Sequence, residues 1–100
     1  MSSAAQYLRF LKLPQSLENT RQSKATRYQK IRRGLWVPPV SLGAKSVAWP
    51  EHEEQRLLAA QIAGATEAEI KALVAQLVEA RKSISSDTRE FNNTPSLVSA

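Results

Sequence analysis

SKATRYQKIRRGLWVPPVSLGAKSVAW, residues 23–49, decides the fold. Its basic first part reads as a helix. Ser23 is a natural N-cap, its side-chain oxygen accepting from the free N–H groups that follow. Tyr28, Ile31 and Leu35 fall at i, i+3 and i+7, an apolar stripe at helical spacing. Gly34 supplies a C′ stop, and Arg32 and Arg33 crowd the last turn, where cations favour the helix dipole. Lys24, Arg27 and Lys30 are three apart and sweep about 120° at roughly 100° per residue, which assigns them to one outer flank. Six cations (Arg21, Lys24, Arg27, Lys30, Arg32 and Arg33) occupy positions 21–33 with no acid between them. Their uncompensated repulsion argues against a merely solvated face.

After the glycine, Pro38 and Pro39 cannot donate ladder hydrogen bonds and mark a stiff approach rather than a central strand. Val40 and Leu42 alternate, as do Val47 and Trp49. Pairing position 42 with 47 also pairs 40 with 49 and puts all four side chains on one face. Residues 43–46 then close the hairpin, with Lys45 at its tip, suited to a phosphate or a minor-groove edge. Trp36 and Trp49 are read as hydrophobic anchors rather than base-stacking platforms. A basic helix followed by a two-stranded wing with a cation at its tip is the layout of a winged helix-turn-helix.

Upstream, Leu8, Phe10, Leu11 and Leu13 form a short extended entry that packs on the core. Pro14 suits a first helical position, so residues 14–20 form a first helix with Leu13 and Leu17 inward, and positions 20–22 turn. Downstream, Pro50 with Glu51, Glu53 and Glu54 starts a third helix; Leu57, Leu58 and Ile62 face inward and Gly64 ends it. Thr66 and Glu69 form a capping box for a fourth helix reaching about Lys82, with Ile70, Leu73, Val74 and Leu77 on one stripe. Ile70, Leu73, Leu77 and Ala80, followed by Ile84, approach a heptad seam. That stripe either joins two copies of the chain or folds back on its own domain. The expected organisation is a flexible N-terminus (1–7), a winged helix-turn-helix (8–64), a C-terminal amphipathic helix (65–83) and a disordered, Ser/Thr/Asn-rich tail (84–100). The fold class is mainly α with a small β-hairpin wing, two further helices following the helix-turn-helix.

One hundred residues bound this to one small domain. The net charge is +5, but its distribution says more. Residues 1–48 carry nine bases and one acid, a charge of +8; residues 49–100 carry five bases and eight acids, a charge of −3. A basic half calls for a polyanionic partner, double-stranded DNA, and the acidic half for a different job. Without cysteine there is neither a disulfide framework nor a cysteine-ligated zinc site. No apolar run approaches the ~20 residues of a membrane span, and MSSAAQYLRF lacks the features of a secretory signal, so a cytoplasmic chain is expected. The sole histidine, His52, sits among acids whose side chains point in different directions on a helix, which makes no metal cluster. Three glycines could hardly build a phosphate-cradling loop. Neither catalysis nor a cofactor is expected.

The run LPQSLENTRQSKATRYQKIRRGLWVPPVSLGAKSVAWPEHE (13–53), with IAGATEAEIKALV (62–74), resembles the AlpA family of prophage regulatory proteins. That family is itself similar to excisionases and to the DNA-binding domain of the MerR family. The resemblance extends from about Leu8 to Arg81. It implies a small winged helix-turn-helix that activates integrase genes, or acts as a directionality factor promoting excision of an integrated element. It also implies that Ser23, Lys24, Thr26, Tyr28 and Lys30 lie on the DNA-reading helix and Lys45 in the wing; the charge pattern adds Arg27 and Arg33. Integrase and RNA polymerase then join DNA and a second copy of the chain as expected partners.

Three positions depart from the family pattern. Arg21 stands where glycine is usual in the turn, and Gln22 and Arg27 stand where apolar residues usually pack the two helices. A buried, unpaired guanidinium would cost several kcal/mol, so Arg27 is expected to rotate outward or to shift the helix. A protein–protein adaptor using the fourth helix, with weakened DNA reading, is the alternative function.

Overall fold

The computed structural model describes residues 8–93, with side chains described as far as residue 84. In chain order it contains β1 (Phe10–Lys12), α1 (Leu13–Thr20), α2 (Lys24–Arg32), β2 (Val40–Gly43), β3 (Ser46–Pro50), α3 (Glu51–Ile62) and α4 (Glu67–Asn93). The strands form an antiparallel sheet in the order β1-β3-β2, so the entry strand and the wing share β3. The fold is mostly helical, with the small sheet at its side. The expected flexible segment 1–7 lies outside the described residues.

Helices α1, α2 and α3 end alike. In each, a residue with positive φ follows the helix: Arg21 at 57°, Gly34 at 77° and Gly64 at 83°. Its N–H and the next one reach back to the last carbonyls, as in Gln22 N–H to Leu17 O at 3.1 Å and Leu35 N–H to Lys30 O at 2.8 Å. This paired closure is the Schellman motif. Glycine accepts the left-handed conformation freely, whereas a side chain there costs about 1 kcal/mol. Arg21 therefore performs at the helix-turn-helix corner the backbone role that Gly34 performs after α2.

The hairpin register differs from the expected one. Val40 pairs with Ala48, Ser41 with Val47 and Gly43 with Ser46, with a bulge at Leu42. The turn is thus reduced to Ala44 and Lys45, and Leu42 is left 43% exposed. Trp49 has no partner on β2 and pairs with Leu11 on the other edge of β3. An alternation count within residues 40–49 cannot register that third strand. Within the entry, Leu11 alone is buried; Leu8 and Phe10 are exposed.

The core gathers Leu35, Trp36, Val37, Trp49, Leu57, Ile70, Val74 and Leu77, with Tyr28, Ile31 and Leu73 packed against it. Both tryptophans are anchors, Trp36 at 1% and Trp49 at 0% exposure. The α4 stripe is correspondingly not a free seam: Ile70, Val74 and Leu77 are buried in their own domain and Leu73 lies beside them. A domain this small needs that apolar cover. The adaptor reading loses the same surface. On α3, Leu57 is buried, but Ile62 is 86% exposed at the helix end.

Glu53 and Glu54, at the start of α3, point inward, not to solvent. Glu53 accepts from Arg81 Nε at 2.8 Å and Nη2 at 2.6 Å, and Arg81 Nη2 also donates to Pro38 O at 2.9 Å. Glu54 accepts from Ser16 Oγ and, at 2.8 Å, from Asn19 Nδ2. Thr66 and Glu69 close their capping box, with Thr66 N–H to Glu69 Oε1 at 2.8 Å and Glu69 N–H to Thr66 Oγ1 at 3.1 Å. From there α4 continues to Asn93, past the boundary expected near residue 83. Its serines weaken helix propensity, but no glycine or proline interrupts the chain before Pro95. Residues 94–100 of the expected tail lie outside the described residues.

Candidate nucleic-acid interface

The outer surface of α2 is set by what its inner surface buries. Arg27 and Ile31 face the protein, so residues about half a turn away face solvent. Ala25, Thr26, Gln29, Arg32 and Arg33 are exposed, as is Lys24 in the first turn. Thr26, Gln29 and Arg33 follow i, i+3 and i+7 along this ridge. Ser23 caps the helix, its Oγ accepting the Thr26 N–H at 3.1 Å and donating to Thr26 Oγ1 at 2.9 Å. Lys30 and Tyr28 sit on the flanks, half-buried. Tyr28 packs edge-on against Trp49, ring centroids 6.3 Å apart.

The wing places a cation at its tip as the sequence implies: Lys45 is exposed in the turn. Beside that turn, Lys12 Nζ donates to Ser46 Oγ at 2.9 Å. Among the described residues, Lys24, Lys30, Arg32 and Lys45 make no ion pair, whereas Arg33 Nη2 lies 3.0 Å from Glu67 Oε2. Gln29, Arg32 and Lys12 are surface positions that the sequence reading did not select. Gln29 could have been found by taking the side of α2 opposite Ile31. Lys12 depends on the β1–β3 pairing, which no local pattern reveals.

Arg27 is the correction. It does not belong to the outer flank: it is fully buried. Its guanidinium carbon lies 4.6 Å from the Trp36 ring centroid and 4.7 Å from that of Trp49. Nε donates to Gln22 Oε1 at 2.7 Å; Nη2 donates to Thr20 Oγ1 at 3.1 Å and to Ser16 O at 3.5 Å. Burial pulls its pKa below the ordinary arginine value, with Glu54 and then Tyr28 pushing back. Counting 120° of sweep from Lys24 overlooked that position 27 lies only about 40° from Ile31 on the helical wheel, at roughly 100° per residue. Gln22 and Arg27, both departures from the family pattern, are hydrogen-bonded to each other. Neither outward rotation nor a displaced helix is needed.

Two short helices closed by a tight turn, a cation-studded second helix and a wing with a lysine at its tip define a small winged helix-turn-helix protein. The chain belongs to the AlpA family: the family described as Prophage CP4-57 regulatory protein (AlpA) matches residues 9–62. It is also 43% identical over 56 residues to the Uncharacterized protein ORF88 of Enterobacteria phage P4, covering 56% of this chain and 64% of that protein. The chain thus spans less than two thirds of the length of that curated relative. No solved structure matches it. The fold expected from the family resemblance is present, and the family it belongs to is described as a prophage regulatory one. Among the described residues no helix is long and apolar enough to cross a membrane.

Proposed function

We propose that this chain is a sequence-specific binder of double-stranded DNA that regulates a prophage or other integrative element from the cytoplasm. In this reading α2 enters the major groove by its outer ridge, and Lys45 lies on the neighbouring backbone. Thr26, Gln29 and Lys30 meet base edges; Ser23, Lys24, Arg32 and Arg33 meet phosphates. The observation that carries the reading is the set of unpaired cations, Lys24, Lys30, Arg32 and Lys45, on one helix and one wing tip. Four or five phosphate contacts give a log–log salt slope of about −4. Titration of duplex DNA across potassium chloride measures it, and a slope near zero removes DNA binding from the account.

The biological role within this reading is regulation of an integrase gene, excision of the element, or both. A single module of this size reads few base pairs, so two copies on adjacent half-sites fit the role, without the α4 stripe as their seam. Genome-wide mapping of bound sites separates the two roles. Sites at an integrase promoter bring RNA polymerase within reach, and sites at attachment sequences bring integrase.

A further inference from the structure

We propose that Arg27 is a positioning residue that locks the recognition helix α2 to the wing. One side chain touches four parts of the DNA-binding unit. Its fork holds α1 through Ser16 O and Thr20 Oγ1 and the corner through Gln22 Oε1. Its faces stack on Trp36, in the segment leading to the wing, and on Trp49, in the central wing strand. Trp49 in turn donates its indole N–H to Val37 O at 3.0 Å, which fixes that segment to β3. The two rings set the tilt of the guanidinium plane and the acceptors set its rotation within that plane. An apolar side chain could fill the volume but could not fix either angle, because dispersion contacts are non-directional.

The charge is compensated only in part: Nε and Nη2 are bonded, whereas the buried Nη1 has no hydrogen-bond partner among the described residues. Ser16 accepts from Arg27 through its carbonyl and donates its hydroxyl to Glu54. Glu54 on α3 is itself buried and held by Asn19. The cation and its carboxylate are therefore joined through one residue of α1, and α3 is tied into the same lock. DNA needs α2 in a groove and Lys45 on the adjacent backbone at once, so their separation is what the lock controls. This consequence rests on the DNA-binding reading; the separation itself can be measured without DNA.

The chain has no cysteine, so Ala25→Cys and Ala44→Cys place two spin labels cleanly on α2 and the wing tip. A single narrow distance distribution is expected for the otherwise unaltered chain. Arg27→Met, with helical circular dichroism retained, should broaden it and lower DNA affinity by about tenfold or more, the surface cations being untouched. Arg27→Lys keeps the charge but not the planar fork, so it should leave the distribution broad. A folded Arg27→Met protein with an unchanged distribution overturns the inference. If Arg27→Met does not fold, Gln22→Met decides instead, since it removes the Nε acceptor and leaves the stacked plate: broadening supports the lock, and no change overturns it. Expected distances together with no DNA binding by the unaltered chain would sink the DNA reading and leave the lock standing.

Discussion

On α2 and the wing, Lys24, Arg32 and Lys45 stand in solvent with no carboxylate partner among the described residues. On α3, Glu53 and Glu54 are sealed inside, one against Arg81 and the other against Ser16 and Asn19. The contrast shows that a charge split along a sequence need not mean two partners. Among the described residues the acids of the second half are divided between internal counter-groups (Glu53 and Glu54), a cap (Glu69) and pairs nearer the surface (Glu51, Glu67 and Glu79). Glu51 faces Arg9, Glu69 caps α4 and Glu79 lies 3.6 Å from Lys82. The excess positive charge is thereby left on the surface that would meet DNA, and the helices behind it serve as its frame.

The frame can be broken by deleting one member of its buried pair. Arg81→Ala leaves Glu53, 0% exposed, as an uncompensated charge and removes the donor to Pro38 O. Losing one partner of a buried pair costs about 3–5 kcal/mol, which urea unfolding should record. A loss of only a few tenths would mean that the pair is solvated and that the contrast drawn above is overstated. Leu77→Ala comes next, at about 3 kcal/mol for a buried leucine. Sedimentation of this variant should show the same association state as the parent chain. A change of association state with stability preserved would return the α4 stripe to an intermolecular role.

The wing sharpens the other side of the comparison at smaller cost. Lys45→Ala should leave stability within about 0.5 kcal/mol, as for an exposed residue away from caps and pairs. It should reduce the salt slope by about 0.9, the share of one phosphate contact. All sequences should be weakened alike, because backbone contacts carry no base information. Lys30→Ala should instead alter preference among sites. An exchange of these two outcomes would mean that helix and wing have each other's roles.

Local chemistry in the sequence was a good guide to where elements begin and end. The Ser23 cap, the Gly34 stop, the Thr66–Glu69 box and the lysine at the wing tip each depend on a few neighbouring residues, and each is found. What the sequence hid is set by contacts distant along the chain. The wing register was misread because a bulge at Leu42 shifts the β2–β3 pairing by one residue, and the β1 partner of Trp49 lies 38 positions upstream. Arg27 was misread because its acceptors and both rings lie outside its own helix. Glu53 and Glu54 look like first-turn acids placed for the helix dipole until Arg81 and Ser16 are brought beside them. Helical periodicity left both fates of the α4 stripe open; burial against Trp49 and Leu57 chose between them.

The smallest predicted effect falls where the two regions meet. Arg33, on the candidate DNA surface, is 3.0 Å from Glu67 at the start of α4, with both side chains more than half exposed. Such a surface pair contributes about 0–1 kcal/mol to stability, and the Thr66–Glu69 cap beside it remains intact if Glu67 alone is changed. Glu67→Gln should therefore shift unfolding by no more than about 0.5 kcal/mol. Its effect on DNA should be larger in proportion. Phosphate and Glu67 compete for the same guanidinium, and removing the carboxylate also removes a negative charge from the edge of the interface. Affinity should rise a few-fold in low salt, and the gain should shrink towards high salt as screening removes the competition. Unchanged affinity at every salt concentration would place Arg33 outside the interface, leaving Lys24, Lys30, Arg32 and Lys45 to carry it.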